Sequence, residues 1–340
     1  MKWLKSASLH LVFLWLISVS SYAELQPYSD SPEAKKYVAI LVGASADKES
    51  ANAKRELATN LRQSLLNDYG YDAKRITVLL GNDKKTQIGS DGVCNASNIR
   101  QLFSRYQKNL TAADQLTVVL IGHGTGRRES AKFNVVGPDL TVDEFAELFS
   151  VLPNNDVVVI NTTSSSHDFT RPLAKPGRIL ISATRSGAEK YDTVFPYYFI
   201  EGVTGLAADR DKNGRVSYLE LFTYSTNRVN EHYRERDILP SEHATLEDNG
   251  DGVFSMDLSR QGDGRLAELA YLDQIQFSLA ELSPQAGELR EQMKRIERDV
   301  FSLRAAKPNL SESDYWQQLE PLLIQLAKVT RDYNALVNEN

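Results

Sequence analysis

Three stretches of this chain carry residues whose type and spacing could do chemistry. Residues 115–126 read QLTVVLIGHGTG, an apolar run that ends in Gly-His-Gly at His123. Residues 161–168 read NTTSSSHD, a run of hydroxyls followed by His167 and Asp168. Residues 209–220 read DRDKNGRVSYLE, a loop of regularly spaced oxygen donors. An apolar run of this kind is typical of a strand buried on both faces, so His123 falls at a strand's carboxyl end. In open α/β sheets ligands bind at that edge, because the loops leaving the strands line a crevice there. The plainer reading of Gly-His-Gly alone is a glycine turn with an incidental histidine.

The 209–220 loop is the most specific motif. Asp209, Asp211 and Asn213 stand at positions one, three and five of a twelve-residue EF-hand pattern. Gly214 at position six permits the sharp turn, Arg215 offers its carbonyl, Ser217 can act through a water, and Glu220 at twelve can bind bidentately. Ca2+ is expected over magnesium, since the ligands are numerous and protein-derived. Apolar-periodic segments at 197–206 and 219–229 supply the flanking helices; the competing reading is an acidic turn. A second stretch at 247–252, EDNGDG, is weaker, because Leu258 falls where the bidentate acid belongs.

The elements that must position these groups alternate. Apolar runs at 36–44, 75–81, 115–121, 156–161 and 178–183 predict five strands, with amphipathic helices at 51–68, 96–108 and 142–149. This pattern predicts an α/β fold, a doubly wound, mostly parallel sheet covered on both faces. From residue 264 the β signal stops. Leu272, Ile275, Leu279 and Leu282 form one seam; Leu289, Met293, Ile296, Val300 and Leu303 a second; Leu319, Leu322, Leu326, Val329, Tyr333 and Leu336 a third. With Ser283-Pro284 suited to a helix start, the segment 264–340 is expected to be a helical hairpin, either packed on its own core or used for dimerisation or partner docking.

A strand-end histidine followed by a strand-end nucleophile is the layout of a dyad hydrolase. VVLIGHG followed by VVVIN and a small-residue loop resembles the caspase-like peptidases, in particular the legumain-like family of cysteine peptidases. The resemblance runs over residues 37–252 as an order of elements and implies a caspase-like core. It implies His123 as general base and Gly124 as a backbone N–H donor to an oxyanion. The cysteine nucleophile is missing. Alignment on the preceding strand puts Thr163 at its position, and alignment on the small residues that follow puts Ser164 there, which is the preferred choice. A hydroxyl needs an accurately held base and usually an orienting carboxylate, and neither motif supplies one. His167 and Asp168 lie too close to Ser164 in sequence to converge with it. The family's substrate pocket, an arginine with acidic groups, would fall on 52–56, NAKRE, which keeps basic character without a secure match, while 182–185, SATR, at the end of the fifth strand, would line the same crevice. Gly-His-Gly also resembles the oxyanion loop of lipases, but the Gly-x-Ser-x-Gly elbow of that fold is absent.

Composition bounds the rest. The 340 residues carry 45 acids against 39 Lys and Arg, a net charge of −6, and the basic residues form no stripe, so no nucleic-acid partner is expected. Lys2 and Lys5, the apolar stretch 9–17 and Ser21-Tyr22-Ala23 read as a signal peptide over 1–23, which implies export to the periplasm or beyond. The apolar stretch is too short to span a bilayer, so no stable membrane insertion is expected. One cysteine, Cys94, leaves no internal disulfide; a helix start just after it would lower its pKa, although a small residue in a loop is the plainer reading. His243 is expected to cap or pack a loop. Three functions follow: an exported, calcium-binding peptidase homologue with a His123/Ser164 dyad; a non-catalytic pseudopeptidase that binds a peptide or protein partner through the crevice and hairpin; or a calcium-stabilised structural protein.

Overall fold

The computed structural model describes residues 26–29, 34–81, 90–126, 130–153, 156–258, 262–273 and 283–338. The expected signal peptide and most of the first leucine seam lie outside the described residues. The chain enters the core on β1 (Lys36–Val42), then forms α1 (Lys48–Asn67), which starts where the Asp47 side chain accepts the Ser50 N–H at 2.8 Å. That cap puts the helix start three residues before the first residue of the sequence reading, where no apolar periodicity marks it. β2 (Ile76–Leu80) and the two-residue β3 (Gly92–Val93) lead to α2 (Ala96–Asn109), capped by Asn95. β4 (Gln115–Ile121) is buried at every residue. Beyond it, β5 (Gly124–Thr125), β6 (Lys132–Phe133) and β7 (Leu140–Thr141) form a small antiparallel sheet. α3 (Val142–Ser150) opens with a capping box of Thr141 and Glu144. There follow β8 (Val157–Asn161), α4 (Ser166–Thr170), β9 (Arg178–Ser182), α5 (Phe195–Val203), α6 (Tyr218–Glu235) and β10 (Thr245–Glu247).

The main sheet has seven strands in the order β10-β9-β8-β4-β1-β2-β3, against the five read from the sequence. The two additions sit at the edges and are two and three residues long, too short to show a period. All neighbours pair in parallel except β10 with β9. Among the five long strands the chain moves outward from β1 to β2, then returns to β4 on the other side of β1. The reversal makes a topological switch point, and the crevice it opens lies at the carboxyl ends of β1 and β4. β4 delivers His123 to that crevice.

Alternation along the strands sends Val38, Ile40 and Val42 into one core with α1, α5 and α6, and Ala39 and Leu41 into the other with α2 and α3. The expected helical pair is present as α7 (Pro284–Ala306) and α8 (Glu312–Asn338). Ser283 caps α7 with Pro284 in its first turn. Met293, Ile296, Val300 and Leu303 of α7 meet Tyr315, Leu319, Val329 and Tyr333 of α8 in a core of their own. No helix among the described residues is long and apolar enough to cross a membrane.

Candidate functional site

The chain leaves β4 through Gly122, whose φ of 143° and close approach to Gly43 leave little room for a side chain: an added Cβ would lie 3.3 Å from the Gly43 backbone. This turn brings His123 to the crevice with its side chain one-third exposed. Its Nδ1 lies 2.9 Å from Oδ1 of Asp192, on the segment 183–194 between β9 and α5. Asp192 thus places on the Nδ1 side of the ring a carboxylate that neither sequence motif contains. An imidazole donating Nδ1–H to a carboxylate presents Nε2 as an acceptor. Desolvation and the nearby Lys54 ammonium hold the His123 pKa below its ordinary value, while Asp192 pulls the other way. Lys54 lies on α1, so the basic stretch 52–56 does border the crevice, and its Nζ meets Ser45 Oγ at 3.3 Å.

Gly124, Thr163 and Ser164 are brought together, as the two motifs require. Ser164 Oγ lies 3.3 Å from the Gly124 N–H, which donates to it, and 3.3 Å from the Gly124 carbonyl, which accepts from it. A Cβ on Gly124 would come within 2.4 Å of the Ser164 carbonyl, so only glycine fits. Thr163 Oγ1 donates to Asn161 Oδ1 at 2.7 Å. Both hydroxyls are buried. The expected His123/Ser164 hydrogen bond is not formed, nor is one from His123 to Thr163; the ring's bonded partner among the described residues is Asp192. The physical reason is local: Ser164 satisfies its hydroxyl on the peptide group next to the histidine instead of on the ring.

The neighbouring candidates have structural tasks. The His167 ring stands edge-on to Phe254, and its backbone N–H donates to Thr184 Oγ1. Ser182 and Thr184 bond to Ser166 and tie β9 to α4, while Arg185 pairs with Glu189. Cys94 has no exposed surface, and burial pushes its thiol pKa up, opposite to the lowering that a helix start could give.

The 209–220 loop follows α5 and runs into the first turn of α6. Carboxylate oxygens of Asp209, Asp211 and Glu220 lie within 4.8 Å of one another. Gly214 turns the loop at a φ of 76°. Ser217 caps α6 in a capping box with Glu220, and Asn213 Oδ1 accepts the Arg215 N–H at 2.8 Å. Burial, Glu220, Glu297 and Asp209 push the Asp211 carboxyl up to about 7. Hard oxygen donors in this number fit Ca2+. The Arg215 side chain turns away to an ion pair with Asp273 at 2.9 Å, leaving its carbonyl as the group for the loop. Sequence reading missed Glu297 of α7, which accepts from Tyr271 at 3.1 Å and lies 3.5 Å from Asn213 Nδ2. A cavity of about 450 Å³ opens beside Asp211, Glu220 and Glu297, away from His123 and walled by Leu323 and Leu326 of α8. In the 247–252 stretch, Asp248 instead accepts the N–H groups of Gly264 and Ala267 at 2.9 Å each, a loop-fixing task.

No protein-family model and no curated protein matches the chain. Among solved structures, it is similar to a structural-genomics protein from Geobacter sulfurreducens, with a TM-score of 0.40 and 13% identity over 63% of this chain and 92% of that one. It is also similar to a secreted C11 cysteine protease from Bacteroides thetaiotaomicron bound to an irreversible peptide inhibitor, with a TM-score of 0.40 and 11% identity over 64% of this chain and 67% of that one.

Proposed function

We propose that this chain is an exported, calcium-binding homologue of caspase-like, legumain-type peptidases, and that its crevice binds peptide segments without cleaving them. The observation that carries the reading is the Ser164 hydroxyl, which accepts from the Gly124 N–H and donates to the Gly124 carbonyl. A hydrolase needs that N–H free for the developing oxyanion and needs the hydroxyl on its base. Here one side chain occupies that N–H and turns its hydroxyl away from the base. What remains is a recess with an imidazole acceptor, the Lys54 ammonium and the Asp192 carboxylate, groups suited to hold a peptide's polar backbone. Ca2+ held by Asp209, Asp211, Asn213, the Arg215 carbonyl and Glu220, with Ser217 acting through a water, would supply stability to the loop and to the helices it joins. The helical pair is a second surface for a protein partner or another copy of the chain.

One observation favours the active alternative: Asp192 gives His123 the orienting carboxylate that a serine hydrolase needs. A peptide-array binding assay on wild type and His123→Ala tests the preferred reading. Binding lost in the variant supports it, and wild-type binding to no peptide rejects it.

A further inference from the structure

The pairing of His123 with Asp192 poses a physical question, because Asp192 is largely exposed and an exposed ion pair does little to order its own loop. Something else must fix the segment 183–194. Its far end is held by Glu242, a buried carboxylate just before β10, which accepts the Val194 N–H at 2.6 Å and the Phe195 N–H at 3.1 Å. Those are the unsatisfied donors at the start of α5, which has no side-chain cap of its own. Next to Asp192, Thr193 Oγ1 donates to the Thr162 carbonyl at 2.5 Å, tying the segment to the end of β8. On the other side of Asp192, Glu189 accepts from the His243 N–H at 3.1 Å and pairs with the ring Nδ1 at 2.6 Å. The Glu189 carbonyl accepts the N–H of Ser165, which sits in the left-handed region at φ 51° where the chain turns from β8 into α4. Consecutive residues, Glu242 and His243, thus hold the segment on either side of Asp192.

We infer that Glu242, His243 and Thr193 are positioning residues for the crevice, holding Asp192 against His123 through the 183–194 segment without touching the imidazole. The inference rests on the crevice being the working site, but its test reads the imidazole directly and needs no peptide. The 15N and 13C signals of His123 report its tautomer and titration midpoint in the full chain. Asp192→Asn should lower the midpoint by about half a pH unit, the scale of an exposed ion pair. Glu242→Ala and Thr193→Val should each lower it in the same direction and weaken the Nδ1–H tautomer. Combining either with Asp192→Asn should add little.

The double variants separate this from a direct charge effect, since loss of the Glu242 charge alone would act equally with or without Asp192. Thr193→Val removes no charge and little volume, so it stays informative if Glu242→Ala fails to fold. A wild-type midpoint and tautomer in Thr193→Val, or additive shifts in the double variants, would overturn the inference. Peptide binding that persists while the His123 signals move as expected would instead count against the crevice as the binding site.

Discussion

At the scale of single residues, burial sets what each ionisable group does. Glu247 ends β10 with no exposed surface; its Oε2 has no hydrogen-bond partner among the described residues. Burial, with Asp263 and Asp248 nearby, pushes its carboxyl up to about 7 from an ordinary 4.5. A carboxyl raised by folding binds its proton more tightly in the folded state. Its contribution is therefore favourable below pH 4.5 and is lost as pH rises toward 7. Glu247→Gln should then stabilise the protein by about 1–3 kcal/mol at pH 8 and have little effect at pH 5, read by urea denaturation. An equal effect at both pH values would count against this assignment. Residues of this kind are hard to read from sequence. Glu247 looks like part of an acidic loop, and Asp192 is a lone acid with no motif around it, far along the chain from His123. His123, Gly124, Thr163 and Ser164 were legible because strand periodicity ends beside them. Their mutual orientation was not, since it depends on which neighbour each hydroxyl finds.

At the scale of elements, the long strands could be read from their apolar runs, while β3 and β10 could not, being held by pairing with longer neighbours. The helical pair was legible from its heptads and Ser283-Pro284, but its attachment to the rest of the chain was not. That attachment is a buried cluster. Arg215 of the 209–220 loop lies 2.9 Å from Asp273, and Arg290 of α7 lies 3.4 Å from it. Lys36 at the start of β1 donates to the Tyr271 carbonyl. Burial raises the Asp273 carboxyl, but Arg215, Lys36 and Arg290 outweigh it and hold the pKa at about 2. Asp273→Ala would leave buried cations without their counter-charge, so a loss of about 3–5 kcal/mol is expected in chemical denaturation. A loss below about 1 kcal/mol, the range of exposed pairs, would show that the cluster is not the anchor.

The 209–220 loop, proposed to bind calcium, lies at the same junction, with Glu297 of α7 facing Asn213 and Tyr333 of α8 lying over Gly214. Calcium at a hundredfold excess over its dissociation constant should stabilise the fold by about 2.7 kcal/mol, visible as a rise in melting temperature. Glu220→Gln should abolish the rise, and Glu297→Gln should reduce it. An unchanged melting temperature in wild type would reject the calcium reading.

At the scale of the whole molecule, one of the two α/β core layers and the separate helical core meet at the 209–220 loop, while the crevice lies at the switch point of the sheet. The proposed function separates these parts: the sheet's carboxyl edge binds a peptide, and the helices with their cation loop hold or present a second surface. The central claim, resting on the proposed function, is that the crevice keeps the framework of a dyad hydrolase but has lost turnover, because the Ser164 hydroxyl occupies the Gly124 N–H. Mass spectrometry of a broad peptide library incubated with the full chain and calcium tests this most directly. The account predicts no new peptide termini, whereas cleavage that His123→Ala and Ser164→Ala each abolish would contradict it.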